Sequence, residues 1–372
     1  MATPELFSTT AFQDALESLM AAAAWGAADT GELLAVAARV RDGDPDSWLL
    51  EWTAAGGAAW SAANRGADAT PYLHAASYYA AALALIAETD GSVSEAALWE
   101  RQRACWDRAV DLLGGERLEI PYADTTLPGY FFRAADEPRP LVVIDHGGRH
   151  ATSQAWAMGG AAAHARGYHW MTFDGPGRQA ALFRQRLVLR PDWEAVLTPV
   201  ADAMSARHDV IGGQMAVIGV EHGSYSVARA LAFEHRFAAA VVAPGVVDVS
   251  SVWVDALPPI AREALLAGER QAFEREIYLA RLFDPAINHT LRRRGTWYGL
   301  AGRSPFDLYE RVRQFRLGDE VERIVTPMLV RENPNEQFWP GQSRRLHARL
   351  RGPKELTSSG DPVAWLADAL KP

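Results

Sequence analysis

Cysteine is nearly absent from the 372 residues: Cys105 stands alone, so no intrachain disulfide can form. A reducing, intracellular compartment fits best. Its neighbours, Ala104-Cys105-Trp106, continue an apolar helical pattern, which reads as a buried structural thiol before it reads as a nucleophile. No uncharged apolar run reaches the roughly 18 residues of a membrane span. No basic segment leads into an apolar one at the start of the chain, so no signal peptide is expected and a cytoplasmic location follows. Basic tracts are missing as well. The net charge is -9 with Lys and Arg scattered, which argues against nucleic acid and anionic membrane as main partners. There is no repeat, no low-complexity tract and no G-x-G-x-x-G fingerprint, so no nucleotide cofactor is implied. Asp145, His146 and His150 fall in a glycine loop as D-H-x-x-x-H, which is not a metal-ligand spacing, and no metal is expected.

Hydrophobic residues make up 49% of the chain, enough for a large core. Residues 1–113 read as a helical domain: Ala and Leu recur at three-to-four spacing, with Trp25, Trp48, Trp52, Trp60, Trp99 and Trp106 available to pack. Asp44-Pro45-Asp46 and Thr70-Pro71 open helices, and Asp90-Gly91 marks a turn. This domain reads as a packing or dimerisation element, and a homodimer is one expectation it carries. From Gly114-Gly115 the pattern changes. Short strands are expected at 117–121 and 127–133. Leu141-Val142-Val143-Ile144 is an apolar run typical of a strand buried on both faces. Helix 153–166, strand 168–173, helix 190–207, strand 215–220 and strand 237–242 follow. Strands alternating with helices predict a mostly parallel sheet with helices on both faces, an α/β fold. Residues 249–322 break the alternation as an aromatic-rich helical lid, with Trp253, Tyr278, Phe283, Trp297, Tyr298, Phe306 and Tyr309. The α/β pattern returns over 323–372, completing the core begun at 114–248.

One stretch organises this pattern. Met215-Ala216-Val217-Ile218 leads into Gly219-Val220-Glu221-His222-Gly223, and a helical run follows. Strand, tight glycine turn and helix form the G-x-S-x-G nucleophile elbow with Glu221 in the serine position. Further matching stretches are Asp174-Gly175-Pro176-Gly177, Arg190-Pro191-Asp192-Trp193-Glu194, Arg229-Ala230-Leu231-Ala232-Phe233 and Glu336-Gln337-Phe338-Trp339-Pro340. On these residues the chain resembles the α/β-hydrolase superfamily. More narrowly, it resembles the branch with an N-terminal helical domain that includes 2,6-dihydroxypseudooxynicotine hydrolase, FrsA-like esterases and fungal polyketide-shortening hydrolases. The resemblance implies an elbow serine, a histidine after the last strand and an acid after the preceding strand. All three positions depart from that pattern. Glu221 replaces serine, and the family's aspartate falls on Asn335, with Glu332 and Glu336 nearby. The terminal loop, Ser358-Ser359-Gly360-Asp361, holds no histidine; the last one is His347.

A carboxylate at the elbow admits several chemistries. Glu221 can attack as a nucleophile, but release of the ester needs a histidine-activated water. It can act as a general acid or base, since desolvation beneath a lid raises a carboxyl pKa toward neutrality. The acid–base role is preferred: proton abstraction beside a carbonyl, dehydration, cyclisation or non-covalent C–C chemistry. Gly147, Gly148 and the His222 backbone N–H are expected to form an oxyanion hole, and His146 to carry protons. His150, Arg178, Asp248, Trp253, Trp297 and Tyr298 are candidate substrate contacts. The plainer readings are a loop histidine for His150 and a structural ion pair for Arg178. Two other functions compete with an acid–base enzyme of specialised metabolism. One is a hydrolase with a relocated triad drawing on His146, His222 or His289. The other is a non-catalytic binding protein on the same scaffold.

Overall fold

The computed structural model describes residues 5–63, 67–89, 91–148, 150–284 and 286–370. Asp90, the first residue of the expected Asp90-Gly91 turn, lies outside them. The chain divides into two compact units, Met1–Arg117 with Arg149–Ala162, and Leu118–Gly148 with Ala163–Pro372.

The first unit is built on α1 (Thr10–Ala23), α2 (Thr30–Ala37), α3 (Pro45–Ala63), α4 (Thr70–Ala84) and α5 (Glu95–Leu112). Asp29 caps α2 by accepting from the Glu32 N–H, and Ser94 caps α5 by accepting from the Ala97 N–H. Trp48, Trp52, Trp99 and Trp106 are fully buried. Trp48 stacks obliquely on Phe12 and Trp52, and its indole N–H donates to Ala81 O at 2.8 Å. Trp25 lies at the surface. Cys105 is buried, and burial pushes its thiol up to about 12, so it stays protonated and inert. The stretch 150–162 belongs to this unit rather than to the α/β core. Gln102 Nε2 donates to Ser153 Oγ (2.7 Å), and the Trp156 indole donates to Trp25 O (2.9 Å). The single helix expected over 153–166 is a 3-10 turn, Thr152–Trp156, followed by α6 (Gly160–Ala165). Gly159 separates them at φ 145°, far from helical values.

The second unit carries an eight-stranded sheet: β1 (Glu116–Tyr122), β2 (Thr125–Phe132), β3 (Arg139–Asp145), β4 (His169–Phe173), β5 (Val210–Val220), β6 (Phe237–Ala243), β7 (Met328–Arg331) and β8 (Lys354–Thr357). The spatial order is β1-β2-β4-β3-β5-β6-β7-β8. β2 pairs antiparallel with β4, and every pairing from β4 to β8 is parallel. Leu141, Val142, Val143 and Ile144 are fully buried, as a strand covered on both faces requires. The covering helices include α7 (Gln179–Phe183), α8 (Glu194–Ser205), α9 (His222–Leu231), α15 (Gln342–Arg349) and α16 (Pro362–Leu366). Between β6 and β7 run α10 (Ser251–Val254), α11 (Pro259–Leu266), α12 (Arg270–Phe283), α13 (Ala286–Trp297) and α14 (Pro305–Val312), the segment read as a lid.

This topology marks where a ligand site belongs. After β3 the chain continues to β4 on one side, and after β5 to β6 on the other. The loops following β3 and β5 therefore diverge at the carboxyl edge of the sheet, the switch point where open α/β sheets bind ligands.

Candidate active site

The switch point is occupied by residues 219–223 and 145–148. Gly219 ends β5 against the first turn of α9; a Cβ on it would lie 2.6 Å from Gly223 O. Gly223 packs on the neighbouring loop, where a Cβ would lie 2.7 Å from Asp145 Oδ1 and 3.0 Å from Gly147 N. Only glycine permits either approach. Between them, Glu221 adopts φ 51° and ψ -117°, a conformation costing a non-glycine residue of order 1–3 kcal/mol. The neighbouring strand and helix hold it there. The Glu221 N–H donates to Ala243 O (2.8 Å), and Glu221 O accepts from the Ser224 N–H (2.9 Å). Ser224 Oγ donates to Gly219 O (2.8 Å) and accepts from the Ala243 N–H (3.0 Å), which ties the hydroxyl to the sheet and away from any reaction. Glu221 itself is half-buried.

Beneath the turn lies a buried charge pair. Arg178 and Asp145 are fully buried and joined through Nη1 and Oδ1. Asp145 Oδ2 accepts from the Trp193 indole (2.8 Å), Arg178 Nη2 donates to Ser226 Oγ (3.0 Å), and the guanidinium lies 4.1 Å from the Trp193 ring centroid. These contacts meet most of the hydrogen-bonding groups a buried pair leaves over, while Arg178 Nε has no partner among the described residues. Arg178 is thus engaged inside the fold. The Gly147 N–H points toward Asp145 Oδ1 at 3.5 Å, a long contact. Gly148 faces His222, with 3.9 Å between a built Cβ and the His222 ring. His146 is fully buried. Its Nε2 is 3.2 Å from Phe173 O and 3.5 Å from Asp174 Oδ1, so Nε2 carries the proton, and Nδ1 has no partner among the described residues.

His222 begins α9 and presents one of the N–H groups that a helix start leaves without an intrahelical partner. The residue is 9% exposed. The ring lies 6.0 Å from Tyr225 and 5.5 Å from Phe315, centroid to centroid, and neither ring nitrogen has a hydrogen-bond partner among the described residues. Burial, then the Arg178 charge, brings its pKa down to about 3, so the imidazole is neutral at ordinary pH. The aromatic chain continues through the segment between β6 and β7: Phe315 to Tyr298 (5.3 Å), Tyr298 to Trp253 (6.0 Å) and Trp253 to Tyr309 (5.7 Å). Burial pushes the Tyr298 hydroxyl up and keeps it protonated.

The chain is 31% identical over 285 residues to hydrolase LUC6 of Fusarium sp, covering 71% of this chain and 67% of that one. It is 32% identical over 272 residues to the alpha/beta hydrolase psoB of Aspergillus fumigatus, covering 66% and 61%. The chain belongs to the α/β-hydrolase family. It spans about two thirds of the length of these curated relatives. The fold matches that of 2,6-dihydroxy-pseudo-oxynicotine hydrolase at a TM-score of 0.67 and 16% identity, over 95% of this chain and 96% of that one. It matches AbyA5 at 0.61 and 18% identity, over 91% and 90%. No family model matches the chain.

The remaining candidates of this α/β-hydrolase-fold chain lie as follows. Asn335 is exposed. Glu332 pairs with Arg344 (2.7 Å), and Glu336 Oε1 accepts from the Phe338 and Trp339 N–H groups (2.9 and 3.1 Å). In the terminal loop Asp361 caps α16 and pairs with Arg166 (2.6 Å). Asp248 Oδ1 accepts from Ser250 N–H and Oγ, a local turn before α10. Trp297 O accepts from the Leu189 N–H, placing Trp297 at a structural joint. His150 lies in the helical unit. Tyr278 and Phe283 are 60% and 89% exposed. Phe315 and Tyr225, the rings nearest His222, escaped the sequence reading. Tyr225 sits three positions after His222 on α9, a helical spacing that signals contact; Phe315, after α14, carries no such signal. A separate open groove of about 600 Å³, lined by Tyr122, Arg186, Arg190 and Arg311 among others, contains none of the sequence candidates. Among the described residues, no three His, Cys, Asp or Glu residues are grouped to hold a metal, and no helix is long and apolar enough to cross a membrane.

Proposed function

We propose that this chain is an enzyme of specialised small-molecule metabolism. In this reading the Glu221 carboxylate moves protons on a carbonyl-bearing, partly aromatic substrate, in a cyclisation, dehydration or C–C bond reaction. One observation carries the reading: a carboxylate stands on a strained, non-helical turn at the switch point, where the fold pays conformational energy to present a side chain. The turn is the nucleophile elbow of the family with its serine replaced. The absence of a histidine between Ser358 and Asp361 speaks against hydrolysis of a covalent ester, since nothing there activates water. His222 is a poor substitute, because an imidazole with a pKa of about 3 takes no proton near neutrality. The His222 backbone N–H and the glycines of the 147–148 loop supply polarity for a developing enolate oxygen.

E221Q tests this directly. Catalysed proton exchange next to the carbonyl of an aryl ketone should fall about 10²–10⁴-fold with the circular dichroism spectrum unchanged. Retained activity overturns the reading. A single turnover in H2¹⁸O separates the covalent alternative: an acid–base carboxylate leaves the peptide bearing Glu221 unlabelled, whereas a glutamyl ester hydrolysed at its own carbonyl labels it.

A further inference from the structure

We propose that the open groove lined by Tyr122, Arg186 and Arg311 binds a small phosphate monoester with an apolar body, its dianionic head held by the two arginines and the tyrosine hydroxyl. The groove is separate from residues 219–223, and its role does not depend on that of Glu221.

The groove has a volume of about 600 Å³, room for a small organic ligand, and its lining lies wholly within the second unit. Three arginines and one aspartate line it, a surplus of two positive charges in a chain of net charge -9. The aspartate is already engaged. Asp192 accepts two bonds from Arg190, at 2.9 Å from Nε and 2.6 Å from Nη2, so these two charges offset each other. The Arg186 side chain is exposed and has no hydrogen-bond or ion-pair partner among the described residues. Arg311 donates to Gln314 Oε1 (2.8 Å) and Leu189 O (3.2 Å), both uncharged, so it has no carboxylate partner either. Tyr122 is only 7% exposed. Its hydroxyl accepts from Arg190 Nη1 (2.7 Å), and its own proton has no acceptor among the described residues. An oxyanion in the groove supplies one. The wall that carries Arg186 is fixed in advance. Arg186 adopts φ 60°, which costs a non-glycine residue of order 1–3 kcal/mol. Hydrogen bonds hold it there: Arg186 N–H to Leu182 O (3.1 Å), Leu187 N–H to Ala181 O (2.8 Å) and Gly177 N–H to Leu187 O (2.8 Å). Pro176, Leu187, Val188 and Pro191 complete the lining with apolar surface. Two unmatched guanidiniums and a free O–H donor suit phosphate better than carboxylate. A phosphate monoester carries close to two negative charges at pH 7 and offers three terminal acceptor oxygens.

Isothermal titration at low salt tests the proposal with four probes: 2-naphthyl phosphate, 2-naphthoate (a monoanion), 2-naphthalenemethanol (neutral) and inorganic phosphate. The wild type should bind 2-naphthyl phosphate about tenfold more tightly than inorganic phosphate, a factor that about 55 Å² of buried apolar surface provides. It should prefer the phosphate ester to the neutral alcohol about tenfold and to the carboxylate about threefold, since each guanidinium acts in an open, solvated groove. R186Q and R311Q should each weaken 2-naphthyl phosphate about threefold and the double variant about tenfold, with the alcohol unaffected. Y122F should weaken it about threefold as well. Arg186 is exposed, so R186Q leaves the fold intact and keeps the test decisive if Y122F does not fold. Raising the salt to about 0.5 M should bring the wild type and the double variant together. No binding of 2-naphthyl phosphate by the wild type below about 1 mM, equal affinity in wild type and double variant at low salt, or a carboxylate, alcohol or inorganic phosphate bound as tightly as the ester would each overturn the proposal.

Discussion

Glu221 and His222 are consecutive, yet the backbone sends them into different surroundings. Glu221, at positive φ, precedes the helix and stays half-buried; His222, the first residue of α9, turns its ring among aromatics. This difference has a consequence for stability. An unfolded histidine titrates near 6.5, whereas folded His222 is held down to about 3. Between those values the unfolded chain binds a proton that the fold refuses. Stability is therefore fully present above about pH 6.5 and declines as the pH falls toward 3, by up to about 1.4 kcal/mol per pH unit. H222Q removes this contribution. Urea melts between about pH 6 and 4 should show the wild type losing stability more steeply than H222Q; parallel losses would contradict the buried neutral imidazole. None of this was legible in the sequence, because the neighbours that depress His222 come from distant segments. Arg178 follows β4, and Phe315 follows α14. The sequence did suggest that Arg178 is a structural ion pair, but its partner, Asp145, was grouped there with His146 and His150.

At the scale of elements, the turn between β5 and α9 is the part on which the site depends. Its two glycines allow the strand, the helix and the 145–148 loop to meet at backbone contact. G223A places a methyl group against the Asp145 backbone and carboxylate and near Gly147 N. It should cost about 3 kcal/mol or more in denaturant melts, as overpacking in a close-packed region does. It should also lower the activity of the folded fraction by displacing the loop. A loss under 0.5 kcal/mol, on the order of an ordinary surface substitution, would show that the loop is free to move. Strands were the most readable elements: the runs ending at Asp145, Phe173, Val220 and Ala243 are apolar because both sheet faces are covered. Helices were less so. The expected helix 153–166 broke at Gly159, and the helix expected from Arg190 starts at Glu194. Alanine-rich stretches carry helical periodicity through such breaks, so spacing alone does not reveal them.

For the whole molecule, the parallel order β4-β3-β5-β6-β7-β8 followed from alternating strand and helix patterns, because crossover connections restrict the topology. Membership of the α/β-hydrolase family followed from the turn and its flanking motifs. In the proposed acid–base account, what the chain does with that fold rests on the positions that differ from the pattern the resemblance implies, above all the carboxylate at residue 221. Those positions could be read as departures, but a single sequence contains no substrate, and the aromatics of residues 249–322 sort into core and surface only when folded. Trp253 and Tyr298 join the cluster leading to His222, while Tyr278 and Phe283 face outward. The most direct test of the acid–base account is hydrogen exchange at a carbon next to a carbonyl. NMR in D2O would follow deuterium entering the methyl group of 2-acetylnaphthalene with wild type and with E221Q. The account predicts saturable exchange above the buffer rate for the wild type and the buffer rate alone for E221Q. Exchange by E221Q at the wild-type rate, or none above buffer in the wild type, would contradict it.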